Sequence, residues 1–65
     1  MVFYAVYEVL KKDEIIKGIF DYPSEVVNYL NNKIDVRHLS TYIKNGYIII
    51  INNRSYKVYK FKDDD

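Results

Sequence analysis

The single proline of the chain, Pro23, and one of its two glycines, Gly46, bracket its middle third. Proline is tolerated in the first turn of a helix, because the N–H that it lacks has no helical partner there. Glycine adopts the left-handed conformation that ends many helices. The residues on both sides of this middle third are rich in Val, Ile, Tyr and Phe, which favour strands. The two positions therefore predict a helical centre between two β-rich ends.

Four strands are predicted, two on each side of the helical centre, at residues 2–10, 15–20, 47–51 and 55–62. Gly18 lies inside the second strand, where glycine indicates a bulge or a close approach of the backbone. Asn52 and Asn53 predict the turn between the last two strands, since asparagine tolerates positive φ. Four consecutive isoleucines, residues 48–51, place apolar side chains on both faces of the third strand. This strand is therefore expected to be covered on both sides or to contact another chain.

Two short helices are predicted in the centre. The first is expected to be capped by Asp21 and to end near residues 31–33, and the second to be capped by Asp35 and to stop at Gly46. A connection of about two or three residues would make the helices cross sharply or pack antiparallel. Their apolar stripes consist of Val26, Val27, Leu30 and Ile34 in the first helix and Val36, Leu39 and Ile43 in the second.

The predicted order ββααββ defines an α+β fold, in which two short helices, arranged like a helix-turn-helix, lie on one face of a four-stranded antiparallel sheet. A chain of 65 residues allows one domain, which is assigned to residues 1–62. The acidic tail, residues 63–65, is expected to be disordered. The chain has no cysteine, no basic segment that would begin a signal peptide, and no apolar run near the ~20 residues that span a bilayer. These features indicate a cytoplasmic protein without a membrane partner.

Motifs for catalysis or metal binding are not found in the sequence. His38 is the only histidine, and without cysteine or a second histidine it predicts neither a metal site nor a nucleophile–base pair. The two glycines lie far apart, which excludes a glycine-rich phosphate loop. We therefore expect no enzyme activity, no catalytic residue, no cofactor, no metal and no small-molecule substrate.

The charges are distributed unevenly along the chain. Residues 33–62 carry seven Lys or Arg and one acidic residue, a net +6, whereas residues 1–32 carry −2 and residues 63–65 carry −3. The overall charge of +1 conceals this asymmetry. A basic half in so small a domain indicates an anionic partner.

Two helices followed by a β-hairpin favour DNA as that partner. In a helix-turn-helix protein the second helix lies in the major groove and presents polar and basic side chains to the bases. The hairpin would act as a wing whose basic residues contact phosphates. The same residue types occur on any solvated helix face, so that alternative stays open. The candidate DNA-binding residues are Arg37, His38, Thr41, Lys44 and Asn45 on the helix and Arg54, Lys57 and Lys60 on the hairpin.

The eight tyrosines support a second hypothesis, a protein-binding surface, because tyrosine is enriched at interface hot spots. Tyrosines also stack on bases, and many are half-buried sheet residues whose hydroxyl stays in water. A third possibility is a homodimer in which a second copy covers the isoleucine strand. The candidate interface residues are Tyr4, Tyr7, Tyr47, Tyr56 and Tyr59.

A Tyr-x-Val-Tyr strand, a hairpin ending near glycine, a Glu-x-x-x-x-Leu helix and a second short helix follow one another in the chain. The residues concerned are Tyr4-Ala-Val-Tyr7, Gly18, Glu25, Leu30 and His38-Leu-Ser-Thr-Tyr42. Over residues 4–43 this arrangement resembles small bacteriophage and prophage accessory proteins of Gram-positive hosts with AT-rich genomes. The sequence departs from their pattern at Ile19, where threonine is usual, and at Val27, where alanine is usual.

The resemblance implies a phage accessory protein in the cytoplasm of a bacterial host. That class includes small DNA-binding regulators, and inhibitors of the anti-CRISPR and anti-restriction kind that act by contact with a host protein. The leading hypothesis is therefore a non-enzymatic module that binds DNA as a regulator. The alternative is an inhibitor whose partner is a host defence or replication enzyme, a protein that itself handles nucleic acid.

Overall fold

The computed structural model describes residues 1–63. The strands form one antiparallel sheet in the order β2-β1-β4-β3. The predicted α+β fold with the order ββααββ is therefore confirmed. The elements are β1 (Val2–Val9), β2 (Glu14–Phe20), α1 (Pro23–Tyr29), α2 (Val36–Asn45), β3 (Ile49–Ile51) and β4 (Arg54–Lys62).

The central strands β1 and β4 carry the core on one face of the sheet. Val6 lies opposite Val58 in the antiparallel register, and both side chains are buried. Side chains alternate between the two faces of a strand, so Tyr4 lies on the same face as Val6 and is also buried. The rest of the core cluster comes from both helices, their connection and β3, and consists of Val26, Val27, Leu30, Ile34, Leu39, Ile49 and Ile51. The helices thus cover one face of the sheet, here called the helix face, and the opposite face is called the open face.

Side-chain hydrogen bonds define the start of each helix. At α1 the Glu25 carboxylate accepts hydrogen bonds from the backbone N–H groups of Asp21 and Tyr22, both at 3.1 Å. The prediction that Asp21 caps this helix is wrong, because Tyr22 is the N-cap residue and Glu25 supplies the acceptor. At α2 the predicted cap is confirmed, since Asp35 accepts a hydrogen bond of 3.2 Å from the N–H of Arg37.

The connection between the helices, residues 30–35, is longer than the predicted two or three residues. Asn31 and Asn32 have φ values of 56° and 57°, and this left-handed backbone stops α1 earlier than its apolar stripe suggests. Ile34, predicted to lie on the stripe of α1, belongs to the connection but is still buried. Gly46, with φ 67°, ends α2 as predicted.

A β-bulge interrupts the pairing of β1 with β2. The register shifts between Val6 and Tyr7, where β2 contains one extra residue, Lys17. The bulge lies next to Gly18, so the bulge predicted from this glycine is confirmed. A Cβ at Gly18 would lie 2.8 Å from the ring of Phe20. A larger residue here would therefore require the Phe20 ring to shift.

Strand β3 is shorter than predicted, and its isoleucines divide between the two faces. Ile49 and Ile51 are buried on the helix face, whereas Ile50 is 69% exposed. The expectation that the strand is covered on both sides is therefore wrong for this chain, and contact with another chain stays a prediction. Asn52 and Asn53 form the predicted turn to β4, with φ values of 50° and 66°, the two left-handed positions of a type I′ hairpin.

The two ends of the described chain are hydrogen-bonded to each other. The N–H of Asp63 donates to the carbonyl of Met1 at 2.7 Å, and the terminal ammonium of Met1 donates to the carbonyl of Asp63 at 2.8 Å. Asp63, which was expected to belong to a disordered tail, is therefore held by hydrogen bonds to Met1. Residues 64 and 65 lie outside the described residues.

Replacing Ile51 by alanine should lower the free energy of unfolding by about 2–5 kcal/mol, because it leaves a cavity in the core. The matched change Ile50→Ala should cost less than about 1 kcal/mol, since its side chain is exposed. Urea denaturation of the two variants checks this difference. Equal losses, or a larger loss at Ile50, would contradict the register of β3.

Candidate functional site

The open face carries a group of aromatic and aliphatic side chains from all four strands. Side-chain exposure rises to 61% at Ile19 and 69% at Ile50. Large apolar side chains left exposed together on one face of a sheet often mark an interaction site. The group, here called the open-face cluster, consists of Phe3, Tyr7, Ile16, Ile19, Ile50, Tyr59 and Phe61.

The aromatic rings of the cluster pack against one another across the two central strands. Phe3 stacks on Phe61 with ring centroids 5.2 Å apart, and Tyr7 meets Tyr59 edge to face, also at 5.2 Å. Ala5, between Phe3 and Tyr7 on β1, is only 1% exposed because these larger side chains surround it. Rings that are already held in place lose little conformational freedom when a partner covers them.

A hydrogen bond fixes one edge of the cluster. The hydroxyl of Tyr59 donates to the Glu14 carboxylate at 2.6 Å, which joins β4 to β2 across the intervening β1. This hydrogen bond, together with desolvation and the negative charge of Glu14, raises the pKa of the Tyr59 phenol above its ordinary value of 10.0. The phenol therefore stays protonated to a higher pH than a free tyrosine, and its hydroxyl donates to Glu14.

The open face is nearly neutral. Among the described strand residues, the register places one cation, Lys57, and one carboxylate, Glu14, on this face. A sheet that binds single-stranded nucleic acid combines stacking aromatics with a positively charged groove. The open face has the aromatics without that excess of positive charge.

The structure separates the predicted interface tyrosines. Tyr7 and Tyr59 belong to the open-face cluster. Tyr4 and Tyr56 lie on the helix face, where Tyr4 is buried and Tyr56 is half-buried against the core. Tyr47 precedes β3, is 51% exposed and packs edge to face on the ring of Tyr42. Two of the five tyrosines therefore share the candidate surface.

The predicted DNA-reading residues of the second helix all point to solvent. Every one of them is exposed on α2, and they are Arg37, His38, Thr41, Lys44 and Asn45. The arginine is engaged by its own helix cap, because its Nε and Nη2 atoms donate to Asp35 Oδ2 at 3.2 and 2.9 Å. These hydrogen bonds, followed by the one from the backbone N–H, lower the pKa of the Asp35 carboxyl below 3.8. A permanent carboxylate thus occupies the end of α2 that would approach DNA phosphates.

The basic residues predicted on the wing do not lie together beside the exposed residues of α2. Lys57 lies on the open face, on the other side of the sheet from α2. Arg54 has its Nε 4.0 Å from Glu8 Oε2. Lys60 lies on the helix face and lines a cleft together with Lys44. The hairpin cannot act as a free wing, because β4 is a central strand paired with β1 along its whole length.

Five members of the open-face cluster were not among the predicted interface residues. Phe3 and Phe61 have the same alternation parity as Tyr7 and Tyr59, so the period of a strand could have indicated them. Ile16 and Ile19 are three residues apart and share a face only because the bulge at Lys17 inserts a residue between them. The fifth member is Ile50. Because residues 48–51 are all isoleucine, no alternation of polar and apolar residues indicates which face of the sheet Ile50 lies on.

Comparison with protein-family models, with curated proteins and with solved structures found no match to this chain. Neither helix within residues 1–63 combines the length and the hydropathy needed to cross a bilayer. The same residues contain no group of three or more His, Cys, Asp or Glu side chains placed to hold a metal ion.

The phenol of Tyr59 should titrate above pH 10. In the Glu14→Gln variant its pKa should fall towards the ordinary value of 10.0. Because the folded-state pKa is raised, the stabilisation from this hydrogen bond is present below pH 10 and is lost as the pH rises through the folded pKa. The difference in near-ultraviolet absorbance between the wild type and Tyr59→Phe isolates this one phenol during a pH titration. A Tyr59 titration unchanged by Glu14→Gln would contradict the contact.

Proposed function

We propose that the protein is a non-enzymatic binding module that docks its open face onto an apolar surface of another protein. The observation that carries the proposal is the open-face cluster, in which Phe3, Tyr7, Tyr59 and Phe61 lie exposed or half-buried on the central strands with no helix above them. Aromatic residues are enriched in protein interfaces, and charged residues are depleted at their centres. The cluster has both properties.

The resemblance to phage accessory proteins supports a bacterial host protein as the partner. An inhibitor of this kind acts by covering a surface that its target needs, and it requires no catalytic group of its own. The two rigid central strands would present the aromatic anchors, and the exposed Ile19 and Ile50 on the outer strands would exclude water around them.

Photo-crosslinking in the bacterial host tests the proposal, with p-benzoylphenylalanine placed at Ile19 or at Ile50. Both positions should form an adduct with the same host protein, and a matched probe at Thr41 on α2 should not. The purified partner should bind the wild-type chain, and Tyr59→Ser with Phe61→Ser should weaken binding at least tenfold, since aromatic anchors often contribute 2 kcal/mol or more.

Three results would contradict this proposal. The first is an adduct between two copies of the chain, which would assign the open face to a homodimer. The second is an adduct that forms only from Thr41, which would assign the interaction to α2. The third is unchanged partner binding in the doubly substituted chain, provided that circular dichroism shows it to be folded.

DNA binding through α2 is the second candidate function. The observation that favours it is that Lys44 and Lys60 line the same cleft. If this candidate holds, binding of a mixed-sequence duplex should weaken at least tenfold between about 50 and 200 mM salt. At a given salt concentration, the double change Lys44→Gln with Lys60→Gln should weaken duplex binding relative to the wild type. The change Lys57→Gln on the open face should leave duplex binding unchanged. Fluorescence anisotropy of a labelled duplex measures the binding of the wild type, of the double variant and of Lys57→Gln. The absence of binding at low salt would exclude this candidate.

A further inference from the structure

A cleft lies on the helix face, on the side of the molecule opposite to the open-face cluster. Its volume is about 270 Å³. Residues of α1, α2, β1 and β4 meet here, and the apolar part of the lining consists of Tyr4, Pro23, Val36, Leu39 and Ile43. Leu39 and Tyr4 are buried members of the core, so the floor of the cleft is part of the core cluster.

Two lysines and a hydroxyl complete the lining of the cleft. Lys44 is in the last turn of α2. Lys60 is on β4, where it lies opposite Tyr4 of β1. Within residues 1–63, no carboxylate lies within 4.0 Å of either ammonium group. Ser40 adds a hydroxyl that donates or accepts a hydrogen bond. The cleft therefore combines an apolar floor with positive charge that the described chain leaves unneutralised.

The size of the cleft limits what it can hold. A volume of about 270 Å³ lies near the lower end of the roughly 300–1,000 Å³ of typical ligand pockets, which suits a small molecule. A DNA phosphate would use the lysines but leave the apolar floor in water. A neutral hydrocarbon would cover the floor but leave the lysines without a partner.

We propose that this cleft binds a small amphipathic carboxylate, with its hydrocarbon part on Leu39, Val36 and Ile43 and its carboxylate between Lys44 and Lys60. The proposal does not depend on the open-face cluster, since the two surfaces lie on opposite faces of the sheet.

Titration with sodium octanoate, followed by ¹H–¹⁵N NMR of the full chain, tests the proposal. Saturable shifts should be confined to the amides around the cleft, with a Kd on the order of 1 mM or tighter. Lys44→Gln and Lys60→Gln should each weaken binding by about two- to fivefold. Lys57→Gln removes the same charge from the opposite face and should leave the Kd unchanged. Ser40→Trp, which fills the cleft from an exposed position, should abolish the shifts.

Two matched ligands separate the contributions of the floor and of the lysines. Octanol should bind more weakly than octanoate, because it lacks the charge, and inorganic phosphate should produce weaker shifts, because it lacks the hydrocarbon. Equal binding of octanol and octanoate would overturn the role of the lysines. Equal shifts with inorganic phosphate would reduce the cleft to a cationic patch, and octanoate shifts centred on the open face, or none that saturate, would overturn the site itself.

Discussion

Two short helices can cover only one face of a four-stranded sheet, and the rest of this structure follows from that constraint. The cross-strand pair Val6 and Val58 lies at the centre of the helix face, and the helices bury it with Val26, Leu30 and Leu39. Because the chain contains no disulfide, this single apolar layer supplies most of its stability. The open face is left without an internal partner, and its apolar side chains remain exposed to solvent.

The two faces of the sheet differ in how their charges are arranged. On the helix face, Glu8 lies between Lys17 and Arg54, at 3.8 and 4.0 Å, and restrains the end of the sheet away from α2. On the open face, Glu14 is used to hold the hydroxyl of Tyr59. The net +6 of residues 33–62 is therefore not one basic surface, because its cations lie in the connection between the helices, on α2 and on both faces of β4. A charge count along a sequence cannot separate these locations.

Local signals in the sequence were sufficient to predict the order of the elements, because each signal acts over a few residues. Asp35 caps α2, Gly46 ends it, and Asn52 with Asn53 form the turn. What depends on partners distant in the chain was not predicted. β4 pairs with β1 rather than projecting as a wing, since an N-terminal strand is available to accept it. The candidate site was predicted only in part for the same reason, because the β1–β4 pairing that places Phe3 on Phe61 beside the predicted Tyr7 and Tyr59 was not predicted.

The most direct test of this account is the solvent exposure of the isoleucine methyl groups in the isolated chain, measured by NMR with a soluble paramagnetic probe. We expect strong broadening for Ile16, Ile19 and Ile50, which belong to the open face, and protection for the buried Ile49 and Ile51. Protection of the first three at the level of the other two would contradict it. The open face would then already be covered and could not serve as the docking surface for another protein.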